Sequence, residues 1–261
     1  MRVLVGVGIA AALTLSSLGS ADGAAGGSRP PAAPPAAAAV GHVAIVQAVP
    51  GETVDVTIDG KVVESGVDSG QVLGPYSLSA GSHQVDFSGG DGIEQATTVE
   101  VGAGSTQDVV LHLPASVDGD ALVTTYPAPV KPIGPGKARV LVAHTANVAP
   151  ADIQVDGQVV FENVANGEYA TADLPAGKHV VALFATGKTT NPILGPLTVD
   201  LTARTLTMVY AVGNPDTDSM DLVAHTAELA GDGSLVPRMI NTGSAGLAAD
   251  VRVVPFGRST S

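Results

Sequence analysis

The chain has 261 residues, of which 45% are hydrophobic, 14% charged and only 3% aromatic, and it contains 32 Gly and 18 Pro. This turn-rich composition favours a β protein over a helical one. Cysteine and tryptophan are absent, which excludes disulfides, thiolate metal sites and cysteine nucleophiles. The formal net charge of −13 would repel a phosphate backbone, so we expect no nucleic-acid partner.

The N-terminus has the layout of a secretory signal peptide. Arg2 precedes an apolar run from Val3 to Leu18, and small residues surround Ala21. We expect cleavage after Ala21, with cleavage after Ala25 as the alternative. Retention of the run as an anchor is the alternative, because its length is near the lower limit for crossing a bilayer. We therefore expect an exported product that is secreted or associated with the cell envelope, with no stable membrane insertion after cleavage.

Residues 22–40 consist almost entirely of Ala, Gly, Pro and Ser. Such a segment has too little apolar bulk to form a core, and its prolines favour extended conformations. We interpret it as a spacer, with a ligand for a proline-recognition module as the alternative.

One stretch occurs twice. V-D-V-T-I-D-G-K-V-V at Val54–Val63 returns 97 residues later as A-D-I-Q-V-D-G-Q-V-V at Ala151–Val160. In both copies apolar and polar residues alternate up to an Asp-Gly dipeptide, which predicts a β-hairpin with a tight turn. A second pair of landmarks, His83 and His179, follows matching Ala-Gly dipeptides 96 residues apart. Landmarks that keep step over this length indicate a duplication.

Each copy contains about seven short runs of strand character separated by Gly and Pro turns, a pattern typical of an immunoglobulin-like or transthyretin-like sandwich. The predicted fold class is all-β, with two tandem β-sandwich domains after a signal peptide. The predicted segments are the signal peptide (1–21), an Ala/Pro-rich linker (22–40), the first domain (41–126), a Pro-rich linker (127–136), the second domain (137–228) and a C-terminal extension (229–261).

Two segments outside the domains carry expectations of their own. The Pro-rich linker has four prolines in ten residues, which predicts a semi-rigid joint. In the C-terminal extension, V-R-V-V-P-F at 251–256 either pairs with an open sheet edge or is loosely ordered.

These motifs resemble the bacterial domain of unknown function 4397 (DUF4397) family. The first copy supplies V-D-V-T-I-D-G and L-S-A-G-S-H-Q-V, and the second supplies A-D-I-Q-V-D-G and L-P-A-G-K-H-V-V. The first copy departs from the second by carrying Gln47 and Ala48 in place of His144 and Thr145. The resemblance covers about residues 41–228 and implies a secreted or envelope-exposed β-sandwich, usually in tandem, without an established activity.

Histidine is the commonest metal ligand and general base, so the six histidines are the first candidates for chemistry. His83 and His179 each stand at the head of a strand after an Ala-Gly turn, and we interpret them as structural residues that bond nearby backbone. A role as ligand or base is the alternative.

His144 and His225 lie in identical L-V-A-H-T-A hexapeptides. Their imidazoles would approach one another if the first and last strands of the second domain were neighbours, with Asp152 or Asp221 as a carboxylate partner. A two-histidine site still needs a third ligand, which makes His144 and His225 weak metal candidates.

Asp216, Asp218 and Asp221 are spaced D-x-D-x-x-D and could offer oxygens to calcium. The positions where a calcium loop needs Gly and Glu hold Asp221 and Ala227. The three aspartates therefore remain weak metal candidates, and ordinary turn chemistry is the simpler interpretation.

No catalytic motif is present, and we assign no catalytic residue, no cofactor and no ligand-binding residue. Asp118 and Asp120 are close in sequence, but glycoside hydrolysis needs its carboxylates across a cleft. The expected function is a non-catalytic interaction or structural module of the cell envelope or the extracellular space, with an unidentified envelope protein or glycan as partner. Strand addition at open sheet edges is the expected mode of contact with a protein.

A polysaccharide-binding module is the alternative, and it would require at least two tyrosines exposed on one face. A metal-binding protein or an enzyme is a third possibility.

Overall fold

The computed structural model describes residues 39–90, 92–116, 119–236 and 254–255. The predicted signal peptide and all but the last two residues of the first linker lie outside this part of the chain. Within the described residues no helix is long and apolar enough to cross a membrane.

The first copy forms eight strands rather than seven. They are β1 Val40–Gln47, β2 Thr53–Ile58, β3 Lys61–Asp68, β4 Val72–Ser79, β5 Gly81–Gly89, β6 Ile93–Val101, β7 Thr106–His112 and β8 Leu122–Pro127. The strand that the prediction missed is β4, where the Gly74-Pro75 dipeptide had the character of a turn.

The second copy repeats this series. Its strands are β9 Lys137–His144, β10 Ala151–Val155, β11 Gln158–Val164, β12 Tyr169–Pro175, β13 Gly177–Ala185, β14 Leu194–Leu201, β15 Thr205–Val212 and β16 Asp221–Glu228. A single-turn 3-10 helix, Pro215–Thr217, separates the last two strands.

Each copy folds into two facing sheets with the same topology. The first copy has the orders β4-β1-β7-β8 and β3-β2-β5-β6, and the second has β12-β9-β15-β16 and β11-β10-β13-β14. In both copies the first strand pairs parallel with the seventh, β1 with β7 and β9 with β15. The predicted all-β fold of tandem sandwiches is therefore confirmed.

The interior of each sandwich is built from alternating aliphatic side chains. Val54, Val56 and Phe87 belong to the first interior cluster, while Ile153 and Leu183 belong to the second. Because the chain has no cysteine with which to form a disulfide, burial of this apolar surface is the main force that stabilises each sandwich.

A third apolar cluster lies between the sandwiches. Val110 and Tyr126 of the first copy pack here with Leu141, Met208 and Tyr210 of the second. The sheet β4-β1-β7-β8 thus buries its outer face against the outer face of β12-β9-β15-β16, giving four stacked sheets.

The Pro-rich linker is part of this packing. Ala128 and Ile133 are buried in the cluster between the sandwiches. The guanidinium of Arg139 donates to the carbonyls of Lys131 and Pro132 at 2.7 and 3.1 Å, and it forms a bidentate ion pair with Asp173 at 2.7 Å for each bond. The linker is therefore bonded along its length to the second sandwich.

The C-terminal extension contributes to the cluster between the sandwiches and to one sheet of the second sandwich. Leu229 forms an isolated bridge with Leu235, and both side chains join the cluster between the sandwiches. A two-residue strand, β17 (Val254–Pro255), pairs antiparallel with β14. This is the edge pairing that was one of the two expectations for residues 251–256.

Candidate functional site

The repeated Asp-Gly dipeptides form the predicted hairpin turns. Asp59 and Gly60 have φ values of 50° and 74°, and Asp156 and Gly157 have values of 53° and 79°. Two successive residues with positive φ are the mark of the type I′ turn, whose twist matches that of the flanking strands. Asp and Gly tolerate this conformation, which explains why the dipeptide is present in both copies.

The turn aspartate of the first copy also holds the histidine that follows the Ala-Gly turn. Nδ1 of His83 donates to Oδ2 of Asp59 at 2.7 Å, and Nε2 donates to the carbonyl of Ser79 at 2.8 Å. Oδ1 of Asp59 accepts from the backbone N–H of Gln84 at 2.9 Å. Because both ring nitrogens donate, the imidazole is cationic, and the Asp59 bond raises the pKa of His83.

The second copy reproduces this arrangement atom for atom. Nδ1 of His179 donates to Asp156 at 2.7 Å, and Nε2 donates to the carbonyl of Pro175 at 2.8 Å. Burial lowers the pKa of His179, but the bonds to Pro175 and Asp156 outweigh burial, and the pKa is raised. We call each set, Asp59 with His83 and Asp156 with His179, an Asp–His clamp. The contacts agree with the interpretation of both histidines as structural.

The first aspartate of the repeated motif has a different structural task. Oδ1 of Asp55 accepts from the N–H of Gly66 at 2.9 Å, and Oδ1 of Asp152 accepts from the N–H of Asn163 at 2.7 Å. Gly66 and Asn163 have φ values of 68° and 52° where the register of the hairpin shifts. The carboxylate thus satisfies an N–H that the irregular strand pairing would leave unbonded.

An ionisable cluster joins the two sandwiches. Asp108 on β7 is fully buried, and its Oδ2 accepts from the hydroxyl of Tyr210 at 2.5 Å and from Nε2 of His225. Burial lowers the pKa of His225, but the charge and hydrogen bond of Asp108 together raise it. We call these three residues the interface cluster.

The ring of Tyr126 packs beside the interface cluster. Its centroid lies 5.5 Å from that of Tyr210 and 5.8 Å from that of Tyr169.

A seam of uncharged polar side chains also spans the interface. The amide of Asn147 donates to the carbonyls of Pro114 and Ser116 at 2.6 and 2.7 Å, and Asn166 donates to the carbonyl of Leu113 at 3.0 Å. His112, buried beside this seam, donates through Nδ1 to Leu113 at 2.8 Å. Burial lowers its pKa, so the ring is neutral at pH 7.

The structure does not bring His144 and His225 together. They lie on strands that flank β15 on opposite sides, His144 opposite Ala211 and His225 opposite Met208. Nε2 of His144 instead donates to the carbonyl of Ala149 at 3.2 Å, and burial lowers its pKa.

The aspartates around the 3-10 helix serve the local backbone. Asp216 donates its N–H to the side chain of Asn214 at 2.8 Å, Asp218 ends the helix with a φ of 54°, and Asp221 accepts from the N–H of Leu222 at 2.7 Å. Asp118 lies outside the described residues, and Asp120 is exposed. Over the described residues, no group of three or more His, Asp or Glu side chains could hold a metal ion.

A groove of about 670 Å³ lies at one open side of the second sandwich, between the edge strands β11 and β12. Phe161, Val164 and Ala170 line it, and the exposed side chains of Glu162 and Tyr169 stand at its rim. Each of the two strands pairs on one side only within the described residues, β11 with β10 and β12 with β9. Their outer backbone groups are therefore available to an added strand.

Sequence reasoning named His225 but missed its partner Asp108, and it missed Arg139 and Asp173, because these partners are distant in the chain. Asp108 and His225 are separated by 117 positions, and Arg139 and Asp173 by 34. The local signal for Asp108 was a single carboxylate directly before the apolar run Val109–Leu111. The Asp–His clamps were within reach, because aspartate and histidine recur at nearly the same spacing in both copies.

Comparison with known protein families gives a match over part of the chain. The family model described as Domain of unknown function (DUF4397) matches residues 41–152, which cover the first sandwich, the linker, β9 and the beginning of β10. A search of curated proteins found no match. The resemblance predicted from the hairpin and Ala-Gly motifs is confirmed by the family match over residues 41–152, and the Ala-Gly motif of the second copy lies beyond the matched residues.

Proposed function

We propose that this protein, whose residues 41–152 match the DUF4397 family model, is an exported, non-catalytic module. It acts at the cell envelope or outside the cell by contacting a partner protein through exposed strand edges. The observation that carries this proposal is the contrast between ionisable groups bonded within the protein and edge strands with unused backbone groups.

The ionisable groups support a structural role. In each Asp–His clamp both carboxylate oxygens and both ring nitrogens bond other protein atoms. Asp108 is fully buried at the centre of the interface between the sandwiches. A general base must reach a proton on its substrate, and groups held in this way are poorly placed to do so.

The edge strands support contact with a protein. Val62 on β3 and Val159 on β11 are 57% and 40% exposed, and each lies on the outermost strand of its sheet. Apolar side chains beside unpaired backbone groups are the usual features of strand addition. Because these edges belong to folded sheets, binding a partner would cost this protein little conformational entropy.

The polysaccharide alternative receives less support. It requires two tyrosines exposed on one face, and Tyr126 and Tyr210 are fully buried, whereas Tyr169 is 43% exposed. Tyr76 is partly buried against the interior of the first sandwich.

The proposal is tested by export and crosslinking in cells that produce the protein. Mass spectrometry of the mature N-terminus should show loss of residues 1–21, and the protein should be recovered outside the cytoplasm. A photoreactive residue at Val62 or Val159 should crosslink a partner protein.

Val180 provides a matched control, because it is 43% exposed but lies on the inner strand β13. We expect no crosslink from this position. A retained signal in the cytoplasm, or crosslinks from neither edge position, would contradict the proposal.

A further inference from the structure

We infer that the groove between β11 and β12 binds an extended segment of a partner protein, with apolar and basic side chains in alternation. This inference rests on the proposed function and adds the site and the chemistry of the partner. The first sandwich serves as an internal reference, because the two copies share strand order. The pairing of β1 with β4 differs from that of β9 with β12 only by a register shift between Val43 and Ile45.

The groove opens where one large side chain of the first copy is replaced by a small one in the second. Ile45 pairs with Leu73 on β4, and its counterpart Val142 pairs with Ala170 on β12. Leu73 packs against the interior of its sandwich, whereas the smaller Ala170 lines the groove, so the loss of the leucine side chain leaves this position open.

The floor of the groove is apolar for a related reason. Val56 pairs with Glu64 on β3, and the corresponding Ile153 pairs with Phe161 on β11. An aromatic ring thus replaces a carboxylate at the edge of the second sandwich. A side chain such as Val or Leu on a bound strand would cover Phe161 and remove apolar surface from water.

The charge of the rim predicts the charge of the partner segment. The side chains that line the groove include two carboxylates, Glu162 and Glu168, and no basic group. Both carboxylates are exposed, and the chain as a whole carries a formal charge of −13. Lysine or arginine residues on the outward face of the bound strand would meet this field, while an acidic segment would be repelled.

The backbone provides the remaining contacts. An extended segment that lies along β11 or β12 would bond the N–H and C=O groups that their sheets leave unpaired. Side chains of the added strand would point alternately into the groove and toward the carboxylates. This period of two is the reason for expecting apolar and basic residues in alternation.

The test uses the full chain and a synthetic nonapeptide of alternating valine and lysine. Nuclear magnetic resonance titration should shift the amide signals of β11 and β12. A valine–glutamate peptide and a valine–lysine peptide methylated at alternate backbone nitrogens should each bind at least tenfold more weakly.

Two variants restore first-copy residues in the groove. A170L fills part of it, and F161E replaces its floor. Each variant should weaken peptide binding at least tenfold while the protein stays folded. E162K should weaken binding several-fold, more strongly at low salt, whereas the control E64K on the edge of the first sandwich should leave it unchanged.

Three results would overturn the inference. The first is that A170L and F161E bind the peptide as tightly as the wild type does. The second is that the amide shifts map outside β11 and β12, and the third is self-association that occupies the groove with a second copy. Crosslinks from Val62 but not from Val159 in cells, together with failed peptide binding, would leave the proposed function standing and remove this site.

Discussion

The Asp–His clamps show how two single residues can hold the end of a hairpin against the neighbouring turn. His83 bonds the turn aspartate through one nitrogen and the carbonyl of Ser79 through the other. The two equivalent bonds, to Asp156 and to the carbonyl of Pro175, hold His179. Because each imidazole is a double donor, its contribution to stability depends on its proton.

This dependence gives a prediction for pH. The pKa values of His83 and His179 are raised above their ordinary value of 6.5, so the stabilisation is fully present below about pH 6.5 and is lost as the pH rises through the folded-state pKa. As the pH rises through this pKa, the free energy of unfolding measured in urea should therefore fall more steeply for the wild type than for H83Q/H179Q. Equal pH slopes for the two proteins would contradict the clamp.

Arg139 gives a second prediction at this scale. Lysine keeps the charge but has neither the planar fork that binds Asp173 twice nor donors for several linker carbonyls. R139K should lower the free energy of unfolding by about 2 kcal/mol and increase hydrogen exchange in the linker. K178R, which changes an exposed ion pair with Asp200, is the control and should change stability little.

At the scale of strands, the hairpin irregularity is the feature that both copies preserve with different residues. Gly66 in the first copy and Asn163 in the second both have positive φ, and both donate to an aspartate of the repeated motif. Gly and Asn are the residues that enter the left-handed region at least cost.

We therefore predict that G66N is tolerated and that G66A is not. Alanine should lower the free energy of unfolding by about 1 kcal/mol, because its Cβ disfavours this backbone conformation. The space around Gly66 is open, since no neighbouring atom lies within 4 Å of the position that a Cβ would take, so crowding does not complicate the comparison. Denaturant unfolding that finds G66A as stable as the wild type would refute this explanation.

Much of the strand order was within reach of sequence reasoning, because the signals are local. The Asp-Gly hairpins and the strands after the Ala-Gly turns follow from residues adjacent in the chain. The strand β4 was missed because Gly74-Pro75 interrupts its pattern, and β12 because its outward and inward residues differ little in polarity. The groove could not be predicted, because it depends on the register between strands that are distant in the chain.

At the scale of the whole molecule, both copies use the equivalent sheet to form the interface between the sandwiches. Ala44 pairs with Asp108 in the first copy, and its counterpart Leu141 pairs with Met208 in the second. Tyr126 and His225 stand opposite Asp108 and Met208. Asp108 and Met208 are therefore equivalent positions, as are Tyr126 and His225, and the carboxylate and its histidine partner come from non-equivalent positions of the two copies.

The interface predicts cooperative unfolding. Replacing Asp108 by Ala leaves His225 and Tyr210 without their acceptor and should lower the free energy of unfolding by about 3 kcal/mol. Calorimetry should show a single transition for the wild type and a broadened or double transition for D108A. T125A, a change on the exposed part of the neighbouring strand, should keep the single transition, and a sharp single transition for D108A would show that the cluster does not couple the sandwiches.

Because each sandwich buries this face against the other, separating the two sandwiches would expose it. A cut in the segment between Ala128 and Ile133 would release two halves, each with a bare aliphatic and aromatic surface that was internal before. Such halves should be poorly soluble alone and should reassemble when mixed, since each supplies the surface that the other lacks. The intact chain avoids this problem by keeping the two halves at a high effective concentration through a short tether.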